Sequence, residues 1–92
     1  MSDTDRPQAN PVAVLREEAD DWAILFNPDT NDAFGINPVG VAIWKAIDGR
    51  RDAAGIADAA REQFDDVPDT YRDDVLDFIR KLERMGFVGY EA

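Results

Sequence analysis

Two spacings of apolar residues divide the chain. Up to about residue 36 they gather in short runs bounded by turn residues, and from residue 38 onward they recur every three or four positions. The first regime predicts three strands. Val12 to Ala19 holds Val12, Val14 and Leu15 before a charged trio, and Trp22 to Asn27 is rich in aromatic and branched residues. Asp32 to Ile36 is the third. Asp20-Asp21 reads as the first turn, and Asn27-Pro28-Asp29-Thr30-Asn31 as the second. The expected arrangement is an antiparallel meander.

The second regime predicts three helices. Asn37 caps the first, with Pro38 at its opening position, and Asp48-Gly49 ends it. Asp52 caps a second helix carrying Ile56, Ala60 and Phe64, in which Gly55 costs roughly 1 kcal/mol against alanine. Val67-Pro68 interrupts the pattern, Asp69 caps the third helix, and Gly86 ends it. Phe87-Val88 adds a short last strand. Residues 1–11 carry two prolines and no periodicity, which predicts a flexible lead-in to a domain over 12–92. Sheet first and helices after it make an α+β domain, winged-helix-like, with a three-stranded antiparallel sheet followed by three helices.

Three features are left over. On the third helix, Tyr71, Val75, Phe78, Leu82 and Met85 form the core stripe at ~100° per residue. Leu76 falls outside it, on a flank with Arg72, Ile79, Arg80 and Glu83. In the strands, Trp22, Ile24 and Phe26 point one way and Ala23 and Leu25 the other, so neither face is polar. Gly35 interrupts the third strand, marking either a β-bulge or the close approach of another backbone. If the third strand is the sheet edge, a foreign peptide can pair with Asp32, Ala33, Phe34, Gly35 and Ile36. The flank of Arg72, Leu76, Ile79, Arg80 and Glu83 would then be the other wall, although periodicity does not itself set that helix beside the strand.

Composition narrows the chemistry. The 92 residues fit one domain. They include no cysteine and no histidine, and the only serine is Ser2, so Ser/His and Cys/His catalysis are excluded. Nothing selects one acid/base pair among 20 acidic residues, Asp65, Asp66 and Asp69 lack the spacing of a calcium loop, and no cofactor is implied. Asp77 and Lys81 read as a solvated i,i+4 pair. A net charge of −10 opposes binding to nucleic acid and to anionic membranes. No apolar stretch approaches the ~20 residues of a membrane span, and the N-terminus lacks the basic and apolar regions of a signal peptide. The expectation is a cytoplasmic, non-enzymatic binding module.

One family matches this order of residues. Phe34-Gly35-Ile36-Asn37, Ile43-Trp44, Asp48-Gly49, Ile56-Ala57, Asp74-Val75, Phe78-Ile79, Leu82 and Gly86-Phe87 together resemble the PqqD family. Its members are the peptide chaperones of pyrroloquinoline quinone biosynthesis and the related recognition elements for ribosomally made, modified peptides. The resemblance spans roughly Leu15 to Val88. It implies a leader peptide paired with the third strand, lying against the third helix and delivered to a modifying enzyme of the radical S-adenosylmethionine (SAM) class. Asp52 stands where the family commonly has threonine, and Gly55 where it has a better helix former. Arg72 and Arg80 are placed to offer positive charge to an acidic leader. Two other readings use the same topology: a winged-helix DNA-binding regulator, which the charge opposes, and an interaction subunit of an enzyme complex that binds no peptide. A free strand edge also allows a weak dimer besides the monomer.

Overall fold

The computed structural model describes residues 6–90. Strands β1 (Pro7–Ala9), β2 (Val14–Glu17), β3 (Ala23–Asn27) and β4 (Asp32–Ile36) come first. Helices α1 (Pro38–Ala46), α2 (Ala53–Arg61) and α3 (Tyr71–Arg84) follow, and β5 (Val88–Tyr90) closes the series. The expected α+β architecture is present, with β2, β3 and β4 forming an antiparallel sheet in that order. Its register runs without interruption from Val14 opposite Phe26, and from Asn27 opposite Asp32 to Ala23 opposite Ile36.

Side chains near the turns fix that register. Asp20 and Asp21 both adopt positive φ, at 60° and 65°, a conformation that aspartate tolerates better than most residues. The Glu18 N–H closes the loop by donating to the Trp22 carbonyl at 2.7 Å. In the next turn the Asn27 Oδ1 accepts from the Asp29 N–H at 3.0 Å, and the Asn31 N–H donates to the Asn27 carbonyl. Asn27 is a buried polar residue, 2 % exposed, and its amide builds the turn from inside.

The helices begin where their caps predict. The Asn37 side chain accepts from the Gly40 N–H, and the Asp52 side chain from the Gly55 N–H. Between α1 and α2, the Asp48 carboxylate accepts from the N–H groups of Arg50 and Arg51 and from the Arg51 guanidinium. The Arg50 N–H does most to hold this carboxyl below its ordinary value; desolvation opposes it, and the charge and N–H of Arg51 add to the lowering. The third helix departs from expectation. Its cap is Thr70 rather than Asp69, and the Thr70 hydroxyl donates forward to Asp74 at 3.0 Å instead of accepting from the backbone.

The lead-in is also different from the reading of the sequence. From Pro7 it is a strand, paired antiparallel with β5 so that Pro7 faces Tyr90 and Ala9 faces Val88. Asn10 extends the junction, its N–H donating to the Phe87 carbonyl at 2.8 Å and its side-chain amide to the Gly86 carbonyl at 3.0 Å. Pro7 is fully buried. Pro7 to Asn10, expected as part of a flexible lead-in, are therefore packed into the domain; residues 1–5 lie outside those described. A three-residue strand has no periodicity to read. Its partner lies about eighty residues away in the chain.

The core joins both sheets to all three helices through Leu25, Ile36, Ile43, Ile56, Val75, Ile79, Leu82 and Phe87. On β3 it is the smaller set, Ala23 and Leu25 with Asn27, that points inward. The bulkier row of Trp22, Ile24 and Phe26 lies on the outer side, where Trp22 is 52 % and Ile24 36 % exposed.

Candidate functional site: the free edge of β4 beside α3

β4 is hydrogen-bonded to β3 on one side and, among the described residues, has no neighbouring strand on the other. Its side chains alternate. Ile36 is buried and Phe34 half-buried toward the helices, while Ala33 and Gly35 are exposed on the outer side. The Phe34 ring lies 6.4 Å from that of Phe78 on α3 and 5.6 Å from that of Phe87. Lys81, one turn after Phe78, places its ammonium 5.1 Å from the centroid of Phe34. Phe34, Phe78 and Lys81 thus set α3 against the open strand, and the line along which they meet is the candidate groove.

Past the end of β4 a cleft of about 310 Å³ opens between α1, the α2–α3 connection and α3. Val39, Ile43, Phe64, Val67 and Phe78 give it an apolar lining; Asp66 and Asp74 are its carboxylates, and no Lys or Arg lines it among the described residues. Phe78 is shared by groove and cleft. Gly40 makes the convergence possible. A Cβ there would lie 3.1 Å from Ile36 Cβ and 3.2 Å from Phe78 Cζ, so a side chain at this position would push on both, and glycine lets α1 pack close.

The predicted site residues separate. Asp32, Ala33, Phe34, Gly35 and Ile36 form the open strand. The α3 flank chosen from the sequence faces elsewhere. Arg72 bonds Asp58 of α2 at 3.3 Å, and Leu76 is half-buried beside Ala53, Ala54 and Ala57 of α2. Ile79 is fully buried and offers no surface. Arg80 pairs with Asp77 at 3.8 Å, which replaces the expected Asp77–Lys81 pair, and Glu83 is exposed one turn beyond Ile79. The physical reason is the alanine face of α2, which accepts this side of α3 and turns the opposite side, with Phe78 and Lys81, toward β4. The sequence reading missed both, because Phe78 fitted the core stripe and Lys81 fitted a surface ion pair.

The β-bulge reading of Gly35 is corrected as well. Gly35 stands opposite Ile24 in an unbroken register. Among the described residues no group of three or more acidic side chains is arranged to hold a metal ion, and no helix is long and apolar enough to cross a membrane.

Known proteins resemble this chain in sequence and fold. The family model for coenzyme PQQ synthesis protein D (PqqD) matches residues 23–88, from the start of β3 into β5. A PqqA binding protein of Pseudomonas paraeruginosa (strain DSM 24068 / PA7) is 37 % identical over 84 residues, covering 79 % of this chain and 84 % of that one. Its counterpart in Pseudomonas aeruginosa (strain UCBPP-PA14) is 36 % identical over the same shares. Among solved structures, TbiB1 in complex with the TbiA(beta) leader peptide matches with a TM-score of 0.72 and 25 % identity, over 92 % of this chain and 98 % of that one. With the family model spanning the open strand, the groove and the cleft alike, the chain belongs to the PqqD family.

Proposed function

We propose that this protein binds the leader segment of a ribosomally made precursor peptide and presents it to a separate modifying enzyme of the radical SAM class, acting as a binding protein without catalysis of its own. The observation that carries the reading is the open edge of β4 beside the Phe78 and Lys81 face of α3. An extended peptide pairing there gains backbone hydrogen bonds along five residues, and alternate side chains turn into the groove. The likeness to TbiB1 with its leader peptide and to PqqA binding proteins supports the same reading.

The peptide side of the site is Asp32 to Ile36 with Asp74, Phe78 and Lys81. Arg72 and Arg80 are not part of it: Arg72 reaches Asp58 of α2 and Arg80 reaches back to Asp77. With Asp66 and Asp74 in the cleft, a leader residue entering there is apolar or basic rather than acidic.

The test is a titration of isotope-labelled protein with synthetic PqqA of the Pseudomonas relatives. Amide shifts concentrated on Asp32 to Ile36, Phe78 and Lys81 are the expected result. Shifts concentrated on Arg72, Leu76 and α2 would place the peptide on the other flank of α3 and overturn the site.

A further inference from the structure

Gly35 is a glycine with no internal reason to be one. Its φ lies outside the left-handed region, for among the described glycines only Gly49 and Gly86 adopt positive φ. Its register is unbroken, so it is not a bulge. A Cβ added to it would meet nothing within 4 Å. Glycine inside a strand gives up packing and backbone entropy, and here no contact within the chain offsets that loss.

What surrounds it is apolar. Gly35 lies on the outer side of the sheet, opposite Ile24, with Phe26 and Trp22 in the same row of β3 and Val14 behind Phe26 on β2. Trp22 is 52 %, Val14 51 % and Ile24 36 % exposed, so this side of the sheet presents apolar side chains outward. Gly35 is thus a notch at the rim of an apolar face, on the strand whose other edge is open.

We infer that this notch seats an aromatic side chain of the bound leader, the residue directly opposite Gly35. The inference rests on the leader-binding reading. A strand added to β4 sends the side chain opposite Gly35 to the same outer side. From that position the β3 backbone is two strand spacings away, ~10 Å. A short or branched side chain does not span this distance, whereas a flat, long ring lies across the bare glycine and reaches Ile24. Aromatic cover of an edge glycine by its cross-strand neighbour is a known way to recover strand stability. One set of leader side chains then enters the groove by Phe34, and the alternate set is read on the outer side.

The experiment selects a displayed library of random peptides on the full chain and assigns the register of the winners by peptide-to-β4 amide contacts. Peptides paired with β4 should carry Tyr, Phe or Trp opposite Gly35. Replacing that residue by alanine should weaken binding on the order of tenfold. Gly35→Val, whose Cβ meets nothing within 4 Å, fills the notch and should cost a similar factor. The two changes together should lose little more than either alone. Ile24→Thr should weaken the aromatic peptide and leave its alanine version unchanged. Gly35→Val should melt no lower than the parent, which separates lost binding from lost folding. Peptides on β4 with no aromatic preference opposite Gly35, or undiminished binding by Gly35→Val, overturn the inference while leaving leader binding intact. Winners that do not touch β4 overturn the leader reading beneath it.

Discussion

Lys81 holds its ammonium 5.1 Å above the centroid of Phe34, so that the cation of α3 is seated on the open strand rather than on the carboxylate four residues before it. The contact joins the two walls of the groove. Lys81→Ala should lower stability by about 0.5–1 kcal/mol in chemical denaturation, the range for an exposed cation over a ring. The loss should shrink when Phe34 is already replaced by Leu. Because Lys81 is a positive group beside Asp74 and Asp77 on this side of α3, Lys81→Glu should weaken a leader with acidic residues more than a basic one, with the difference fading as salt rises.

Tyr71 ties α3 to α2. Its hydroxyl donates to the Ala57 carbonyl at 2.7 Å from a buried position. Tyr71→Phe should cost about 1 kcal/mol, the net worth of a buried hydrogen bond. Burial raises the Tyr71 pKa above its ordinary value, with Arg61 opposing and Asp58 adding to the rise. The folded state therefore keeps the proton longer than the unfolded chain does. The stabilisation is fully present below pH ~10 and is lost as pH rises above it through the folded value. The gap in stability between parent and Tyr71→Phe should narrow in that alkaline window, read from melts at successive pH values.

Gly40 fixes the geometry of the cleft through its closeness to Ile36 and Phe78. Gly40→Val places methyl groups where Ile36 Cβ, held next to the backbone, cannot give way. A loss of about 1–3 kcal/mol in denaturant unfolding is expected, with displacement of the Phe78 ring. The ring displacement should appear as shifted Phe78 and Phe34 aromatic resonances in a variant that still folds.

Local signals carried the sequence reading far. The bounds of β4 follow from the turn at Asn27 to Asn31 on one side and the Asn37-Pro38 cap on the other, and both are set by chemistry within a few residues. The rotation of α3 is not local. Its apolar residues, from Tyr71 through Val75, Leu76, Phe78 and Ile79 to Leu82, cover an arc wide enough for two placements. Packing against Ala53 and Ala57 of α2 decides between them, and so exchanges Leu76 for Phe78 at the groove. Likewise the row of Trp22, Ile24 and Phe26 carries more apolar surface than the row of Ala23 and Leu25, yet the smaller row is buried because the helices seat on that side.

The N-terminal strand gives a last prediction, since from Pro7 to Asn10 it reverses the expectation of a flexible lead-in. Pro7 is fully buried, its carbonyl accepts from the Gly49 N–H at 3.2 Å, and Asn10 holds the Gly86 and Phe87 carbonyls where α3 ends. Removing residues 1–9 exposes Val88 and unpairs β5, and should lower stability by about 2 kcal/mol or more. Removing residues 1–5 alone leaves the pairing of β1 with β5 in place and is the reference truncation. Hydrogen exchange locates the effect. In the shorter chain the amides of β5 and of Gly49 should lose protection, while those of β3 paired with β4 keep theirs. Equal protection of β5 in both truncations would mean that β1 contributes nothing to holding it.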